Sequence, residues 1–369
     1  MLKISIGTHL QVTGPGARQR LLPQLLVLLA TVHESGNLRE ACGKIGVSYR
    51  HAWGMIRDGR ELFGAPLVAM SRGRGATLTS LGERLLWADR RIAARLSPAL
   101  DSLASEVEVE LERALRDAKV VLRIHASHGF AVQTLRDYLA EQDIPIDLKY
   151  RDSAEALASL QKASCDLAGF HVPVGEFQAP ALEHYARWLK PRAHRLIHLA
   201  KRRQGLMVAA GNPKHIRSAR DLERGNVTFV NRQPGSGTRM LLDLLLRKER
   251  LDGRNISGYN NGEFTHAAVA AYIASGMADV GLGVEPAARQ FNLEFIPVAT
   301  ENYFFICDKE TLRLPAVEQA INIMSSDVFR ARVSKLPGYE GALSGTVLGI
   351  HDAFPEAAKS AKRRPALVL

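Results

Sequence analysis

Residues 36–64, GNLREACGKIGVSYRHAWGMIRDGRELFG, decide how the N-terminal part of the chain folds. Asn37 can cap a helix over the segment LREACGKI, and Gly46 can end that helix in the left-handed backbone conformation. Ser48 can then cap a second, longer helix. The apolar side chains of this helix recur at helical spacing and predict a stripe that faces inward: Tyr49, Ala52, Trp53, Ile56 and Phe63. Two helices joined by a glycine turn predict a helix-turn-helix.

The sequence on both sides extends this prediction to a winged helix-turn-helix. Upstream, the apolar run LLPQLLVLLATV (21–32) predicts a buried helix, with Pro23 tolerated in its first turn. Downstream, two β-capable pieces, 67–70 and 76–79, flank RGRG (72–75) and predict a hairpin wing. Thr79 or Ser80 can cap a long helix to about Leu115, which we interpret as a linker and dimerisation helix. Its apolar side chains recur at threes and fours: Leu81, Leu85, Ile92, Leu96, Leu100, Leu103, Val107 and Leu111.

The charge of the chain favours a polyanionic partner for its N-terminal end. The net charge is +11, and residues 1–90 carry 12 Lys plus Arg against 6 Asp plus Glu, a net of +6. The start of a recognition helix can reach base edges, and arginines in a wing can reach phosphates. Arg50 is the best single candidate. We expect double-stranded DNA to contact Ser48, Tyr49, Arg50, His51, Arg57, Arg72 and Arg74.

From about residue 119 the pattern changes to alternating strands and helices. The strand-like segments VVLRIHA, IDLKY and CDLAGFHV alternate with helical segments, and a second block over about 205–298 repeats the alternation. The predicted fold class is therefore α/β, in two lobes with a ligand cleft between them, behind the mainly α-helical winged helix-turn-helix. The predicted divisions are 1–80 for the winged helix-turn-helix, 81–118 for the linker helix, 119–355 for the two-lobed domain and 356–369 for a basic flexible tail. The lobes are predicted at 119–204 plus 303–355 and at 205–302.

The segment GSGTR (235–239) stands between a predicted strand and the apolar helix MLLDLLL. The N–H groups of a helix N-terminus attract anions, and Arg239, with Arg232 as a second candidate, can add a charge-assisted hydrogen bond. The other candidates stand at comparable strand-to-helix junctions or on the returning strand. The predicted effector-binding residues are Ser127, His128, Ser236, Gly237, Thr238, Arg239, Thr265, His266 and Tyr303. Such a cleft suits a compact anion such as formate, molybdate, tungstate or sulfate, and the sequence does not choose among them.

Several other kinds of site lack support in the sequence. No GxxxxGK[ST] motif occurs, and GLG (281–283) is only half of a dinucleotide fingerprint, so we expect no nucleotide cofactor. We also expect no metal, because the crowded histidines have no carboxylate or cysteine to complete a set: His171, His184, His194 and His198. Part of this region, RAHRLIHLAKRR (192–203), is interpreted as a basic amphipathic surface or strand. The cysteines have no paired spacing: Cys42, Cys165 and Cys307.

The expected cellular location and the class of protein follow from segments and motifs that the sequence lacks. No apolar run suits a membrane span and the N-terminus lacks the pattern of a secretory signal, so we expect a cytoplasmic protein that does not bind membranes. No GxSxG motif occurs, and we predict no catalytic residue. Two alternatives stay open at this point: an α/β-hydrolase-like enzyme with Ser236 or Ser127 as nucleophile, and a soluble anion-binding or storage protein.

Two stretches of the chain resemble known families. SYRHAW, FGAPLV and LTSLGERLL, within about residues 20–115, resemble the DNA-binding domain of the molybdate-responsive ModE regulators and, more distantly, of LysR-type regulators. Residues 120–350 resemble a type II periplasmic-binding-protein domain through VNRQPGSGTRMLLDLLL, AAVAAYIASGMADVGLGVEPAAR and FIPVATENYFFI. ModE regulators carry small oligonucleotide-fold barrels in this position, so the combination is more similar to regulators of formate dehydrogenase and other molybdenum-enzyme operons. The resemblance implies a homodimeric or homotetrameric transcription regulator that senses a small anion.

Overall fold

The computed structural model describes residues 3–13, 19–71, 75–115 and 121–355. The chain forms two compact units, Gly7–Ala94 and Met1–Ile6 with Arg95–Leu369, named here the N-terminal and C-terminal units. The helix predicted as a separate linker is shared, because one helix, Ser80–Leu115, belongs to the N-terminal unit up to Ala94 and to the C-terminal unit beyond it. The boundary between the units therefore differs from the predicted divisions after residues 80 and 118. The predicted tail at 356–369 lies outside the described residues.

The N-terminal unit is built mainly from short helices. Its elements, in chain order, are β1 (Gln11–Thr13), β2 (Gln19–Leu21), α1 (Pro23–Ser35), α2 (Leu38–Ile45), α3 (Tyr49–Phe63), β3 (Val68–Ser71), β4 (Gly75–Leu78) and the first half of α4 (Ser80–Leu115). Strands β3 and β4 pair antiparallel as the wing, so the predicted winged helix-turn-helix is confirmed. Strands β1 and β2 form a second antiparallel pair, which was not predicted because three-residue strands give too short an alternation to recognise.

The ends of α2 and α3 follow from their capping residues. The side-chain oxygen of Asn37 accepts a hydrogen bond from the Arg39 N–H at 2.8 Å, and the Ser48 hydroxyl accepts one from the His51 N–H at 3.1 Å. These oxygens satisfy backbone donors that the first helical turn leaves without partners. Gly46 ends α2 in the left-handed conformation, as its sequence position predicts.

The C-terminal unit contains the second half of α4 and an α/β domain, which confirms the predicted fold class. Its strands are β5 (Leu122–Ala126), β6 (Ile146–Tyr150), β7 (Leu167–Pro173), β8 (His194–Val208), β9 (Phe229–Arg232), β10 (Gly262–Glu263), β11 (Val280–Val284), β12 (Glu294–Asp308), β13 (Tyr339–Glu340) and β14 (Val347–Gly349). Its helices are α5 (Phe130–Glu141), α6 (Ser153–Gln161), α7 (Gln178–Tyr185), α8 (Gly237–Glu249), α9 (His266–Ala274), α10 (Glu285–Gln290), α11 (Pro315–Ser325), α12 (Asp327–Ser334) and α13 (Ile350–Ala353).

One sheet runs through both lobes of this unit. The order of its strands is β10-β9-β11-β8-β12-β7-β5-β6, with β13 and β14 paired to β8. The two long strands β8 and β12 are antiparallel and stand between the parallel strands of lobe I (β5, β6 and β7) and those of lobe II (β9, β10 and β11). Because β8 and β12 extend from one lobe into the other, they connect the lobes and carry side chains of the region between them.

The second half of α4 covers the edge strand β6. The hydroxyl of Ser105 accepts a hydrogen bond from the Leu148 N–H at 3.0 Å and donates one to the Ile146 carbonyl at 3.2 Å. The hydroxyl of Ser102 accepts one from the Tyr150 N–H at 3.1 Å. These hydroxyl groups satisfy backbone groups that an edge strand otherwise exposes, so this part of α4 is integral to lobe I. No helix within the described ranges has the length and apolar character that a membrane crossing requires.

Candidate functional site

The loops after the parallel strands bring the polar ends of the two lobes together. Asp152 follows β6 in lobe I, whereas Gly235 and Gly237 follow β9 in lobe II. A Cβ atom on Gly235 would lie 2.5 Å from Oδ2 of Asp152, and one on Gly237 would lie 3.1 Å from Cβ of His171. Only residues without a side chain permit this approach of the lobes. Ligands of open α/β sheets bind at such carboxyl ends of parallel strands.

The connecting strands β8 and β12 supply the polar floor of this region. Arg202 and Gln204 are two residues apart on β8, Glu301 and Tyr303 are two apart on β12, and Arg202 pairs directly with Glu301. Side chains two residues apart on a strand point to the same face, so these four share one face of the sheet. His171 of β7 pairs with Tyr303, and their rings meet edge to face with centroids 4.3 Å apart.

A buried hydrogen-bond network links these strands to lobe II. The Nε atom of Arg202 donates to Oε1 of Glu301 at 2.7 Å, and the amide nitrogen of Gln204 donates to the same oxygen at 2.9 Å. The same amide nitrogen also lies 2.9 Å from the hydroxyl of Thr238, in the first turn of α8. The side chains of these residues and their buried neighbours form what we call the interlobe cluster: His171, Arg202, Gln204, Arg232, Thr238, His266, Glu301 and Tyr303.

Arg232 gives the interlobe cluster its excess positive charge. Its Nε atom donates to the Glu263 carbonyl at 3.1 Å, so main-chain oxygen holds the guanidinium. Burial, and next the charge of Arg202, lowers the pKa of Arg232 to about 9, which leaves it protonated at neutral pH. The carboxylate of Asp152 accepts the Glu155 N–H at 2.9 Å, and that of Glu263 pairs with Arg95 at 3.1 Å. A buried cation whose nearest carboxylates have other partners attracts an anion.

The two imidazoles in the cluster are neutral. Burial lowers the pKa of His171 well below its ordinary value of 6.5, and the charges of Arg202 and Arg232 lower it further. The same burial and the same two arginines lower the pKa of His266. Among the described residues, Nε2 of His171 and Nδ1 of His266 are buried without a hydrogen-bond partner. Each nitrogen can donate to a ligand or accept from it, depending on its tautomer.

Most of the predicted effector residues lie in or beside this cluster. Thr238, His266 and Tyr303 belong to it, and Gly237 allows His171 to approach α8. Burial raises the pKa of Tyr303 to about 12, although the neighbouring Ser127 acts in the opposite direction. The other predicted residues stand at strand-to-helix junctions. Ser236 and Thr265 cap α8 and α9, and the ring of His128 stacks edge to face on Tyr150.

Arg239 lies outside this cluster, and its role as an effector-binding residue stays a prediction. Its side chain points away from the interlobe cluster, with Nε 3.3 Å from the Asp243 carboxylate and the guanidinium 3.9 Å from the centre of the Tyr259 ring. It lines a groove of about 510 Å³ together with Gly235, Ser236 and Asp243. The cause is the helix period, because Arg239 is one residue beyond Thr238 and therefore points about a quarter turn away from it.

Four residues of the cluster were not among the predicted site residues: His171, Arg202, Gln204 and Glu301. Arg202 stands in the segment 192–203, which is interpreted above as a basic amphipathic surface or strand, and Gln204 follows it; β8 buries both side chains. Alternation counted from Leu196 does not give their face, because the pairing of β8 with β12 shifts register between Leu196 and Arg202. Glu301 gives no local signal either, since its role depends on pairing with a strand about a hundred residues away in the chain.

Helix α4 contacts both lobes next to the cluster. In lobe I, the Asp101 carboxylate lies 3.7 Å from Nε2 of His128 and 3.4 Å from the guanidinium of Arg136. These partners lower the pKa of Asp101 although its burial acts to raise it. In lobe II, Arg95 pairs with the buried carboxylate of Glu263, whose own carbonyl accepts from Arg232. A chain of three residues therefore connects the cluster to α4.

The second candidate surface is the start of α3 in the N-terminal unit. Ser48, Tyr49, Arg50 and His51 are exposed there. Arg50 has no recorded ion pair among the described residues, in contrast to Arg57, which lies 3.6 Å from Asp58 and 4.0 Å from Glu61. The predicted wing contacts Arg72 and Arg74 lie outside the described residues.

The predicted inward stripe of α3 needs a correction. Its buried residues are Ala52, Ile56 and Gly59, whereas Tyr49 and Trp53 are 44% and 40% exposed and meet edge to face. Gly59 allows α3 to pack closely, because a Cβ atom there would lie 2.8 Å from Cδ1 of Leu67. The aromatic pair therefore lies on the same exposed end of the helix as Arg50.

No set of three or more histidine, cysteine, aspartate or glutamate side chains within the described ranges is placed to hold a metal ion. His194 and His198, considered in the sequence for a metal, lie on strand β8 and are buried. His198 hydrogen-bonds to Asn302, with the two side chains 3.1 Å apart.

The fold and the cluster define a two-lobed ligand-binding domain joined in one chain to a winged helix-turn-helix. A family model for the PBP superfamily domain matches residues 136–325. The chain belongs to the PBP superfamily. The uncharacterized protein YvgK of Bacillus subtilis is 32% identical over 251 residues, which cover 66% of this chain and 79% of YvgK.

Two further similarities are more distant. The molybdenum-pterin-binding protein MopB of Rhodobacter capsulatus is 28% identical over 149 residues, 39% of this chain and 52% of MopB. Among solved structures, CbnR, a LysR family transcriptional regulator, is 16% identical with a TM-score of 0.38, over 81% of this chain and 96% of that chain.

The neutral histidines lead to a prediction about acid stability. Below its ordinary pKa of 6.5, a histidine takes up a proton in the unfolded chain but not in this cluster, so the unfolded state binds more protons. We expect the free energy of unfolding to fall as the pH falls below about 6.5, by up to ~1.4 kcal/mol per pH unit for each histidine. Urea unfolding at a series of pH values measures this slope.

The variant His266→Gln removes one of these groups and should reduce the slope. His351→Gln, which replaces an exposed histidine of the same unit, should leave it unchanged. An imidazole of His266 that titrates near its ordinary pKa in the folded protein, as followed by NMR, would contradict the expectation.

Proposed function

We propose that this protein is a DNA-binding transcription regulator whose C-terminal unit binds a small anion between its lobes. The observation that carries the proposal is the presence, in one chain, of a winged helix-turn-helix and a PBP superfamily domain with a buried cationic cluster. A DNA-binding head alone would need no such cluster, and an anion carrier or an enzyme would need no such head. The predicted regulator therefore accounts for both units.

The DNA-binding half rests on the exposed start of α3. A recognition helix reads base edges with its N-terminal residues, and arginine is the side chain that most often pairs with guanine. Arg50 is exposed at this end of α3, beside the hydroxyl of Ser48 and the aromatic pair Tyr49 and Trp53. Arg57 is less available because two carboxylates lie near it. We therefore assign the main sequence-reading role to Arg50.

The variant Arg50→Ala tests this assignment. We expect it to weaken binding to duplexes that the wild-type protein selects from a random pool by about tenfold or more, because a base contact of arginine contributes ~1–3 kcal/mol. The measurement is fluorescence anisotropy at fixed salt. Arg313→Ala, which removes an equally positive and exposed side chain from the other unit, should bind these duplexes like the wild type. Equal affinities of all three proteins would assign DNA binding to another surface.

The anion-binding half rests on the charges of the interlobe cluster. Glu301 neutralises Arg202, whereas Arg232 is held by main-chain oxygens and has a lowered pKa. The N-termini of α8 and α9 point their partial positive charge toward the same region, at Thr238 and His266. An anion bound here would relieve the repulsion between the two guanidiniums. The candidates are formate, molybdate, tungstate or a similar oxyanion, and MopB, whose name refers to molybdenum, adds weight to the oxyanions.

Thermal-shift titrations against formate, molybdate, tungstate, sulfate, phosphate and short carboxylates test this half. A ligand that binds only the folded state at about 100 times its Kd stabilises it by ~2.7 kcal/mol. We expect at least one anion to raise the melting temperature of the wild type and of Arg239→Gln, and not that of Arg232→Gln. Arg239 is the matched control because it is an arginine near the same helix whose side chain lies outside the cluster. A response lost in Arg239→Gln and kept in Arg232→Gln would move the site to the groove beside α8.

The regulator is expected to act as a homodimer or homotetramer through α4. Its second half carries an exposed apolar stripe at helical spacing, formed by Leu96, Leu103, Val107 and Leu111. The opposite side of the same half is fixed to β6 through Ser102 and Ser105. A second copy of the chain, pairing through the same stripe, would cover these side chains.

Helix α4 also offers the route from the anion to the DNA-binding head. Arg95 pairs with Glu263 of lobe II, while Asp101 contacts His128 and Arg136 of lobe I. Closure of the lobes on an anion would change the distance between these two contacts, and α4 continues from them into the N-terminal unit. The anion can shift the equilibrium only if it binds the two arrangements with different affinities.

The variant Arg95→Gln should separate anion binding from the change in DNA affinity that the anion causes. We expect it to bind the anion as the wild type does, because its side chain is half exposed and lies outside the cluster. The anion-induced change in DNA affinity should be largely lost, whereas Arg95→Lys, which keeps the charge, should retain most of it. DNA titrations with and without a saturating anion measure the change. A full response in Arg95→Gln would show that coupling does not pass through this ion pair.

A further inference from the structure

The interlobe cluster contains buried acceptors as well as buried charge. Among the described residues, Oε2 of Glu301 and Oε1 of Gln204 are buried and have no hydrogen-bond partner. Both belong to groups whose other atom is engaged: Oε1 of Glu301 accepts from Arg202 and Gln204, and the amide nitrogen of Gln204 donates to Glu301 and Thr238. The unpartnered oxygens are therefore fixed in position inside the cluster.

The orientation of the Gln204 amide is determined by its neighbour. If the amide were rotated by half a turn, its oxygen would face the carboxylate oxygen of Glu301, 2.9 Å away, and two acceptors would repel each other. The nitrogen must therefore face Glu301, and the oxygen must point away from it. Both unpartnered oxygens can only accept hydrogen bonds.

No donor of the described residues bonds to these two oxygens, although the phenol of Tyr303, Nε2 of His171 and Nδ1 of His266 are also buried without a partner. Arg202 directs Nε to Glu301 and a terminal nitrogen to the phenol of Tyr339, and Arg232 directs Nε to a main-chain carbonyl. Leaving a buried acceptor without a donor is unfavourable, and more so when the acceptor is charged. A ligand without a donor would leave this cost in place and would bring its own negative charge close to Glu301.

We infer that the ligand of this cluster is a small anion that also carries a hydrogen-bond donor, such as a hydroxyl-bearing carboxylate or a protonated oxyanion. Its negative group faces Arg232 and the N-termini of α8 and α9, and its O–H faces Glu301 and Gln204. This inference rests on the proposed function and narrows it, because formate, molybdate, tungstate and sulfate carry no donor at neutral pH.

Matched ligand pairs test the inference by calorimetry at neutral pH. Phosphate and sulfate share a tetrahedral shape, but only phosphate keeps an O–H group, and glycolate differs from acetate by one hydroxyl. We expect the donor-bearing member of at least one pair to bind the wild-type protein about tenfold more tightly than the other, or better. Binding of sulfate as tight as that of phosphate, together with acetate as tight as glycolate, would overturn the inference and leave the proposed anion site standing.

Two variants test whether the acceptor oxygens of Glu301 and Gln204 cause the preference for donor-bearing anions. In Glu301→Gln the new amide can present an N–H, and in Gln204→Met the acceptor is removed, so in both the preference for the donor-bearing member should fall several-fold. Arg239→Gln should keep it. Unfolding curves show whether each variant is folded, and the wild-type comparison decides the question even if one variant is not. If molybdate or formate binds the wild type and none of the donor-bearing anions does, the inference is wrong. If no anion binds at all, both the inference and the proposed anion site are wrong.

Discussion

The buried ion pair between Arg202 and Glu301 is the interaction on which the C-terminal unit depends. It joins the two longest strands, β8 and β12, at the place where the sheet passes from one lobe to the other. Removing one partner of a buried ion pair leaves an uncompensated charge, which is costly, so the pair fixes the register of these strands. Irregularities in that register lie on both sides of Glu301, between Pro297 and Ala299 and between Tyr303 and Phe304. Such bulges redirect side chains, and here they flank the segment that supplies the floor of the cluster.

Helix α4 is where the two units of the chain share an element. Its second half belongs to lobe I because Ser102 and Ser105 replace the missing neighbour of the edge strand β6. Pro98 lies inside the helix, four residues beyond the boundary between the units at Ala94. Proline lacks the N–H that a helix interior uses and commonly bends the helix at that point.

Local chemistry made the fold and half of the candidate site predictable. Asn37, Gly46 and Ser48 determine their helix ends from within a few residues, so the helix-turn-helix could be read from the chain. The junctions at Ser236 and Thr265 could be recognised for the same reason, since a capping residue after a strand is a local pattern. Arg202 and Glu301 could not be found, because their burial arises from pairing between strands distant in sequence. The sequence gives the position of Arg239 on its helix but not which side of that helix faces the partner lobe, so its contacts with Asp243 and Tyr259 could not be predicted.

The charge of the interlobe cluster is held constant near neutral pH. Burial and two guanidiniums keep His171 and His266 neutral, because they hold each pKa well below 6.5. Arg232 stays charged throughout the neutral range, because its pKa is lowered only to about 9. No group at the centre therefore changes its charge near neutral pH, and the positive potential there is constant. A ligand bound on the proposed site would therefore meet a constant potential and fixed acceptors, so charge and hydrogen-bond pattern would together determine its affinity.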